Sequence, residues 1–231
     1  MNKKMLQQKP CGHSKNAYDC VKEELKVLKR LEHPNIIWLH EIIDDPNKEN
    51  IYLVTEFHSR GSLGDKISKL NRLNEAHNRL CIKEDRPTDM KTRGLKPTDV
   101  RMYFIDMLKA LHYCHQEIGV IHRDIKPDNI MINHNNEAVL IDFGMSALVK
   151  ETDKSLMEKN LGSYMFFAPE MFESYKTGTD YAKRGEKTDL WALGITFYYL
   201  LCGRYPCCDA KNPYQLQELV RNRPVNFDLI K

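Results

Sequence analysis

The sequence predicts an α+β fold: a helix and two strands near the N-terminus, followed by a larger, mainly helical portion. Three observations carry this reading. Apolar residues recur at helical spacing over 17–31, where Val21, Leu25, Leu28 and Leu31 share a face. They do so again after Thr98, through Val100, Phe104, Met107, Leu108, Leu111 and Cys114. Between these helices, "IIWLHEII" and "IYLVTEF" read as strands around "DDPNKEN", whose Asp-Pro-Asn favours a turn.

Each element follows from local chemistry. "HPN" at 33–35 ends the first helix, because proline restricts the residue before it. The stretch 67–95 is charged and lacks a sustained apolar period, which predicts a partly helical surface insertion. Thr98 is the expected N-cap of the next helix. "IMI" at 130–132 and "AVLI" at 138–141 are short buried strands joined by the turn "NHNN". Residues 189–202 are apolar nearly all round, as in a helix buried within a lobe, and 213–221 predict a further amphipathic helix.

Composition is that of a globular protein, with 42% hydrophobic and 29% charged residues over 231 positions. A net charge of +3 argues for neither a nucleic-acid nor a membrane-surface partner. The longest apolar run, "WALGITFYYLLCG" at 191–203, is too short to span a bilayer, and residues 1–15 lack the apolar core of a signal peptide. Seven cysteines without CxxC spacing predict scattered reduced thiols, and no cluster completes a metal site around His112 and His115. The expected compartment is the cytoplasm, with the nucleus left open.

One stretch departs from this pattern. "VIHRDIKPDNIMI" at 120–132 sets Arg123, Asp124, Lys126 and Asn129 inside a run that otherwise reads as buried strand. Ionised groups beside buried backbone cost several kcal/mol unless each has a partner or a task. Further polar trios follow: Asp142-Phe143-Gly144 after the strand at 138–141, Ala168-Pro169-Glu170, and Asp189 with Trp191 and Gly194.

In this order and spacing the motifs resemble the eukaryotic protein kinase catalytic domain. "HRDIKPDN" resembles its catalytic loop, "DFG" its magnesium motif and "APE" the end of its activation segment. The resemblance implies a bilobal protein-kinase-like fold. Residues 1–57 would be a partial small lobe of a helix and two or so strands. Residues 58–231 would be the large, mainly helical lobe, incomplete at its C-terminus and carrying the insertion at about 67–95.

The implied activity is transfer of the γ-phosphoryl group of ATP, with Mg2+, to a serine or threonine hydroxyl of a protein. Phosphoryl transfer needs positioning and charge neutralisation more than covalent help. Asp124 suits the hydroxyl and Lys126 the transferring group, while Asn129 and Asp142 offer hard oxygens to magnesium. By resemblance, Glu24 matches the helix glutamate that pairs with a nucleotide-anchoring lysine. Thr55 matches the gatekeeper, with Glu56 and His58 at the adenine, Ser62 near the ribose and Met131 beneath the base. His122, Phe143, Leu28 and Leu39 match the apolar spine linking the lobes.

Lys126 and "GSYMFFAPE" resemble serine/threonine kinases rather than tyrosine kinases or small-molecule kinases. "LEHPNIIWLHEIIDDPNKENIYLVTEF" is similar to calcium/calmodulin-dependent protein kinase kinases. That similarity implies another kinase as substrate, and calmodulin as a regulator acting through segments outside this chain. Thr152 and Ser155 are the expected phosphorylation sites.

Two departures stand out. The chain holds neither a Gly-rich loop nor a "VAIK" strand, and the arginine that pairs with the Glu170 position is absent. The expectation is a kinase domain partial at both ends, with poor phosphotransfer from these residues alone. An excerpt, an incomplete gene model and a degenerate paralogue stay open as explanations. A non-catalytic pseudokinase that acts as an interaction module is the alternative function.

Overall fold

The computed structural model describes residues 1–11, 15–83, 94–144, 146–148, 164–172 and 185–227, with side chains over 1–9, 16–76, 94–144, 146, 164–172 and 185–227. A short helix α1 (Lys3–Gln8) and strands β1 (Pro10–Cys11) and β2 (Lys15–Asn16) lead into α2 (Ala17–Leu28). Asn16 caps α2, its Oδ1 accepting the Asp19 N–H at 2.9 Å. The helix buries Val21, Leu25 and Leu28, the face its apolar spacing predicts.

Strands β3 (Leu39–Ile43) and β4 (Tyr52–Thr55) pair antiparallel with Ile43 opposite Tyr52, and Asn2 bridges to Asn50 at the start of this ladder. The segment between α2 and β3 ties this part to the rest. Leu140 N–H donates to Asn35 O at 2.8 Å, Ile37 N–H to Leu140 O at 2.9 Å, and Asn35 Nδ2 to Ala138 O at 2.9 Å. One hydrophobic cluster therefore runs from Leu25 and Leu28 through Ile36 to Tyr103, Met107, Leu140 and Phe197.

The larger part begins with α3 (Leu63–Lys83), which runs unbroken through much of the segment expected to be only partly helical. Leu63 and Ile67, near its start, are fully buried, while Asp65, Ser68 and Lys69 between and beside them are exposed. Next, α4 (Pro97–His112) starts two residues earlier than expected. Lys96 is its N-cap and Pro97 its first residue, so Thr98 is not the cap. Proline's fixed φ suits a first helical position, where a missing N–H costs nothing.

A π-turn over Tyr113–Ile118 extends α4 and closes on Gly119, at φ 72°. Short strands follow: β5 (Val120–Ile121), β6 (Ile130–Ile132), β7 (Ala138–Leu140) and β8 (Ala147–Leu148). β6 and β7 pair antiparallel, Ile130 opposite Leu140, and β5 pairs with β8. Helices α5 (Gly185–Cys202) and α6 (Pro213–Asn222) complete the described fold. α5 is buried on most sides and packs on α4, with the Phe104 and Phe197 rings edge to face at 4.9 Å.

Cys114, Cys202, Cys207 and Cys208 carry free thiols, as expected, but Cys20 is in a disulfide. Among the described residues no helix is long and apolar enough to cross a membrane, and no group of three or more His, Cys, Asp or Glu side chains is placed to hold a metal. Thr152 and Ser155 lie outside the described residues.

Candidate active site

The polar residues of 120–132 sit in the turn between β5 and β6. Pro127–Asn129 forms one turn of 3-10 helix, closed by the Asn129 N–H to Lys126 O at 3.0 Å. Asp124 lies at its centre, 8% exposed. Lys126 Nζ donates to Asp124 Oδ2 at 2.6 Å, and Asn129 Nδ2 donates to the same Oδ2 at 2.8 Å and to Asp124 O at 2.9 Å. Both side-chain bonds fall on one oxygen, so Oδ1 is left as the acceptor for an incoming group. Asn129 spends its NH2 on Asp124, which leaves its own Oδ1 as a neutral oxygen donor.

His122 supports this turn from below. The Asp124 N–H donates to His122 Nδ1 at 3.2 Å, so the ring proton sits on Nε2 and is donated to Ile141 O at 3.0 Å. Burial, the largest influence, pushes the His122 pKa down and keeps the ring neutral, which suits that tautomer. The ring meets Phe143 edge to face at 4.7 Å. Leu28 and Leu39 pack in the same cluster as Phe143.

Asp142 reaches the turn through its neighbour, because the Ile141 N–H donates to Asn129 O at 2.9 Å. It holds φ at 62°, in the left-handed region, and its Oδ1 accepts the Gly144 N–H at 3.2 Å. Glu24, from α2, comes to the same place: a Cβ on Gly144 would stand 3.1 Å from Asp142 Oδ1 and 3.4 Å from Glu24 Oε2. Burial first, and the Asp142 charge second, raise the Glu24 pKa to about 7. Among the described residues Glu24 has no ion-pair partner. Lys3 instead meets Asp44 Oδ1 at 2.5 Å and Asp45 O at 2.6 Å, and Lys4 meets Glu49 at 2.9 Å.

The remaining expected site residues run along the connection from β4 to α3. Thr55 and Glu56 are exposed, His58 and Ser62 are buried, and Met131 is half-buried. Ser62 bridges to Met131, and the Ile132 N–H donates to Gly61 O at 3.0 Å, so this connection lies against β6. His58 Nε2 is buried, 3.9 Å from Glu56 Oε2. Ser62 caps α3, its Oγ accepting the Asp65 N–H at 3.0 Å while its own N–H donates to Asp65 Oδ2 at 3.0 Å.

Sequence reasoning singled out Asp189 but gave it no task. Only 1% exposed, it accepts the backbone N–H groups of His122 and Arg123, each at 2.8 Å, and faces His115 Nε2 at 2.8 Å. The available signal was an ionisable residue near the start of an otherwise apolar helix, which demands buried partners. His115 carried no such signal.

The site thus combines a hydrogen-bonded Asp–Lys–Asn turn, a second aspartate one strand away and a helix glutamate. The family model of the protein kinase domain matches residues 1–228. The chain belongs to the protein kinase domain family. Relatives of this kinase domain include the serine/threonine-protein kinase ssp1 of Schizosaccharomyces pombe, 34% identical over 211 residues, 90% of this chain and 28% of that protein. The calcium/calmodulin-dependent protein kinase kinase of Caenorhabditis elegans is 32% identical over 213 residues, 92% of this chain and 34% of that protein. Sperm motility kinase Z of Mus musculus is 35% identical over 183 residues, 79% of this chain and 30% of that protein. The kinase domain described here spans about a third of the length of these relatives.

Proposed function

We propose that this chain is a serine/threonine protein kinase domain that uses ATP and Mg2+ to phosphorylate a protein hydroxyl. The observation that carries the reading is the Asp124 carboxylate, whose Oδ2 is occupied by Lys126 and Asn129 and whose Oδ1 is left for a hydroxyl. When bound, ATP with magnesium would supply the phosphoryl group and offset its charge. On the protein's side, Asp124 orients the acceptor hydroxyl and takes its proton, while the Lys126 ammonium stands beside it. Asn129 Oδ1 and the Asp142 carboxylate are hard oxygen donors that suit magnesium. Glu56, His58, Ser62 and Met131 line the expected nucleotide edge beyond Thr55.

We assign residues 1–57 to the small lobe and 58–231 to the large lobe, with an insertion at about 67–95. The Caenorhabditis elegans relative is named for acting on kinases, which supports another kinase as substrate and calmodulin as a partner through segments outside this chain. The cytoplasm is the proposed compartment.

A second reading, a non-catalytic interaction module, is favoured by one observation. Glu24 faces Asp142 with no cation partner among the described residues, and Lys3 is held by Asp44. The test is label transfer from γ-labelled ATP with magnesium to peptides carrying serine, threonine or tyrosine. The kinase reading expects weak label on serine and threonine, still above background and abolished by Asp124→Asn. Label no higher than the Asp124→Asn background overturns it in favour of the second reading.

A further inference from the structure

The first turn of α3 lies against the 3-10 turn that carries Asp128 and Asn129. Gly64 comes close to this turn. A Cβ there would stand 2.6 Å from Asp128 Oδ1, 3.0 Å from its Cγ and 3.2 Å from its Cα. The carboxylate could swing aside, since Asp128 is exposed. The Cα could not: carbon atoms rest at about 3.5–4.0 Å, so backbone would have to move by several tenths of an ångström.

Neither side can yield without consequence. The start of α3 is fixed by the reciprocal Ser62–Asp65 cap, by the Ile132 N–H bond to Gly61 O at 3.0 Å, and further along by Asn71 Nδ2 donating to Gly203 O at 3.2 Å. The 3-10 turn is shorter and carries the more sensitive cargo. Asn129, next to Asp128, makes both hydrogen bonds that hold Asp124 from this side.

We propose that Gly64 is a positioning residue: its missing Cβ lets α3 seat against Asp128, and that contact fixes Asn129 and through it Asp124. The catalytic role of Asp124 rests on the kinase reading above, but the positioning does not. Alanine favours helix over glycine, so helix propensity taken alone predicts that Gly64→Ala strengthens α3. The positioning account predicts that alanine disturbs the site whatever it does to the helix.

The test uses the 231-residue chain with 15N-labelled asparagine and follows the Asn129 side-chain NH2 resonances in wild type, Gly64→Ala, Asp128→Ala and the double variant, with Lys69→Ala as a control on the exposed face of α3. Gly64→Ala is expected to shift the Asn129 resonances while Lys69→Ala does not, and the double variant is expected to shift them less than the sum of the singles. Where phosphotransfer is measurable, Gly64→Ala should lower kcat roughly three- to tenfold with the nucleotide KM unchanged, in keeping with the steep cost of small misplacements. Asn129 resonances of Gly64→Ala that coincide with wild type overturn the proposal. If Gly64→Ala does not fold, Asp128→Ala decides alone, because it removes the contact without adding volume and must itself move the Asn129 signal. A shift in a chain that transfers no phosphate leaves the positioning intact and removes the kinase reading.

Discussion

Asp189 Oδ1 accepts the Arg123 N–H at 2.8 Å, and Arg123 holds φ at 68°, in the left-handed region that a long side chain seldom enters. Such a conformation costs about 1–3 kcal/mol and persists only where its surroundings impose it. Asp189 imposes it from a helix that begins more than sixty residues later, holding the next backbone N–H back, that of His122, with its other oxygen. The strain sets the direction in which Asp124 leaves the chain.

Asp189→Asn tests this. An asparagine keeps one accepting oxygen and turns an NH2 toward a group that is itself a donor. One buried backbone N–H loses its partner, at a cost of about 1–3 kcal/mol. Urea unfolding should show that loss, and phosphotransfer should fall further than the stability change explains, because Arg123 relaxes. Unchanged stability and turnover would count against the account.

Asn129→Ala removes the two hydrogen bonds that the Asn129 amide gives to Asp124 and leaves only the Lys126 ammonium on Oδ2. The side chain is only 6% exposed, so the acceptors it served stay buried. The expected cost is on the order of 1–3 kcal/mol in unfolding free energy. Losing the amide oxygen should also weaken nucleotide binding with magnesium more than without it, as read by calorimetry in the presence and absence of the ion. Equal losses in both conditions would remove Asn129 from the metal side of the site.

Ser62→Ala breaks the cap of α3. Capping substitutions of this kind cost about 0.5–2 kcal/mol. The Asp65 carboxyl is held below its usual range first by the Ser62 backbone N–H and then by the Ser62 hydroxyl. The variant should therefore lower the melting temperature and raise the Asp65 pKa toward its ordinary value, followed by NMR titration. An unmoved Asp65 would show that the backbone N–H alone sustains the shift.

The parts legible in sequence were those whose partners are close along the chain. Asp124, Lys126 and Asn129 lie within six positions, so their meeting in one turn could be expected before any fold was known. β6 and β7 were readable because a short turn joins them, α2 because its apolar residues are periodic, and α5 because its residues are apolar nearly all round. The Asp189 bonds to residues 122 and 123 span sixty-six positions or more, and no local pattern encodes them. The start of α4 was misjudged because Thr98 suits a cap, yet the preorganised φ of Pro97 settles the first turn sooner. The length of α3 was hidden by its charge, since the many charged residues of 67–83 leave no sustained apolar period to read. Gly64 was unreadable for a different reason: a glycine reveals nothing until the atom it would strike, here Asp128 Cα, is in place.

Half-buried Glu24 and buried His122 give stability opposite pH dependences, and substitution can separate them. Glu24 rises from an ordinary 4.5 to about 7, through burial and the Asp142 charge. A carboxyl raised on folding binds its proton more tightly in the native state. Its favourable contribution is complete below about pH 4.5 and is lost as pH climbs toward about 7. At about 1.4 kcal/mol per pKa unit the loss approaches roughly 3 kcal/mol, less where solvent screens the site. His122 is pushed below its ordinary 6.5 by burial, so its contribution is present above that value and is lost as pH falls below it. Urea unfolding from pH 5 to 8 should thus find Glu24→Gln gaining on wild type as pH rises, with the difference levelling off above about pH 7. A difference that does not change with pH would mean that Glu24 ionises freely in the folded chain, and that its approach to Asp142 at Gly144 is looser than the structure has it.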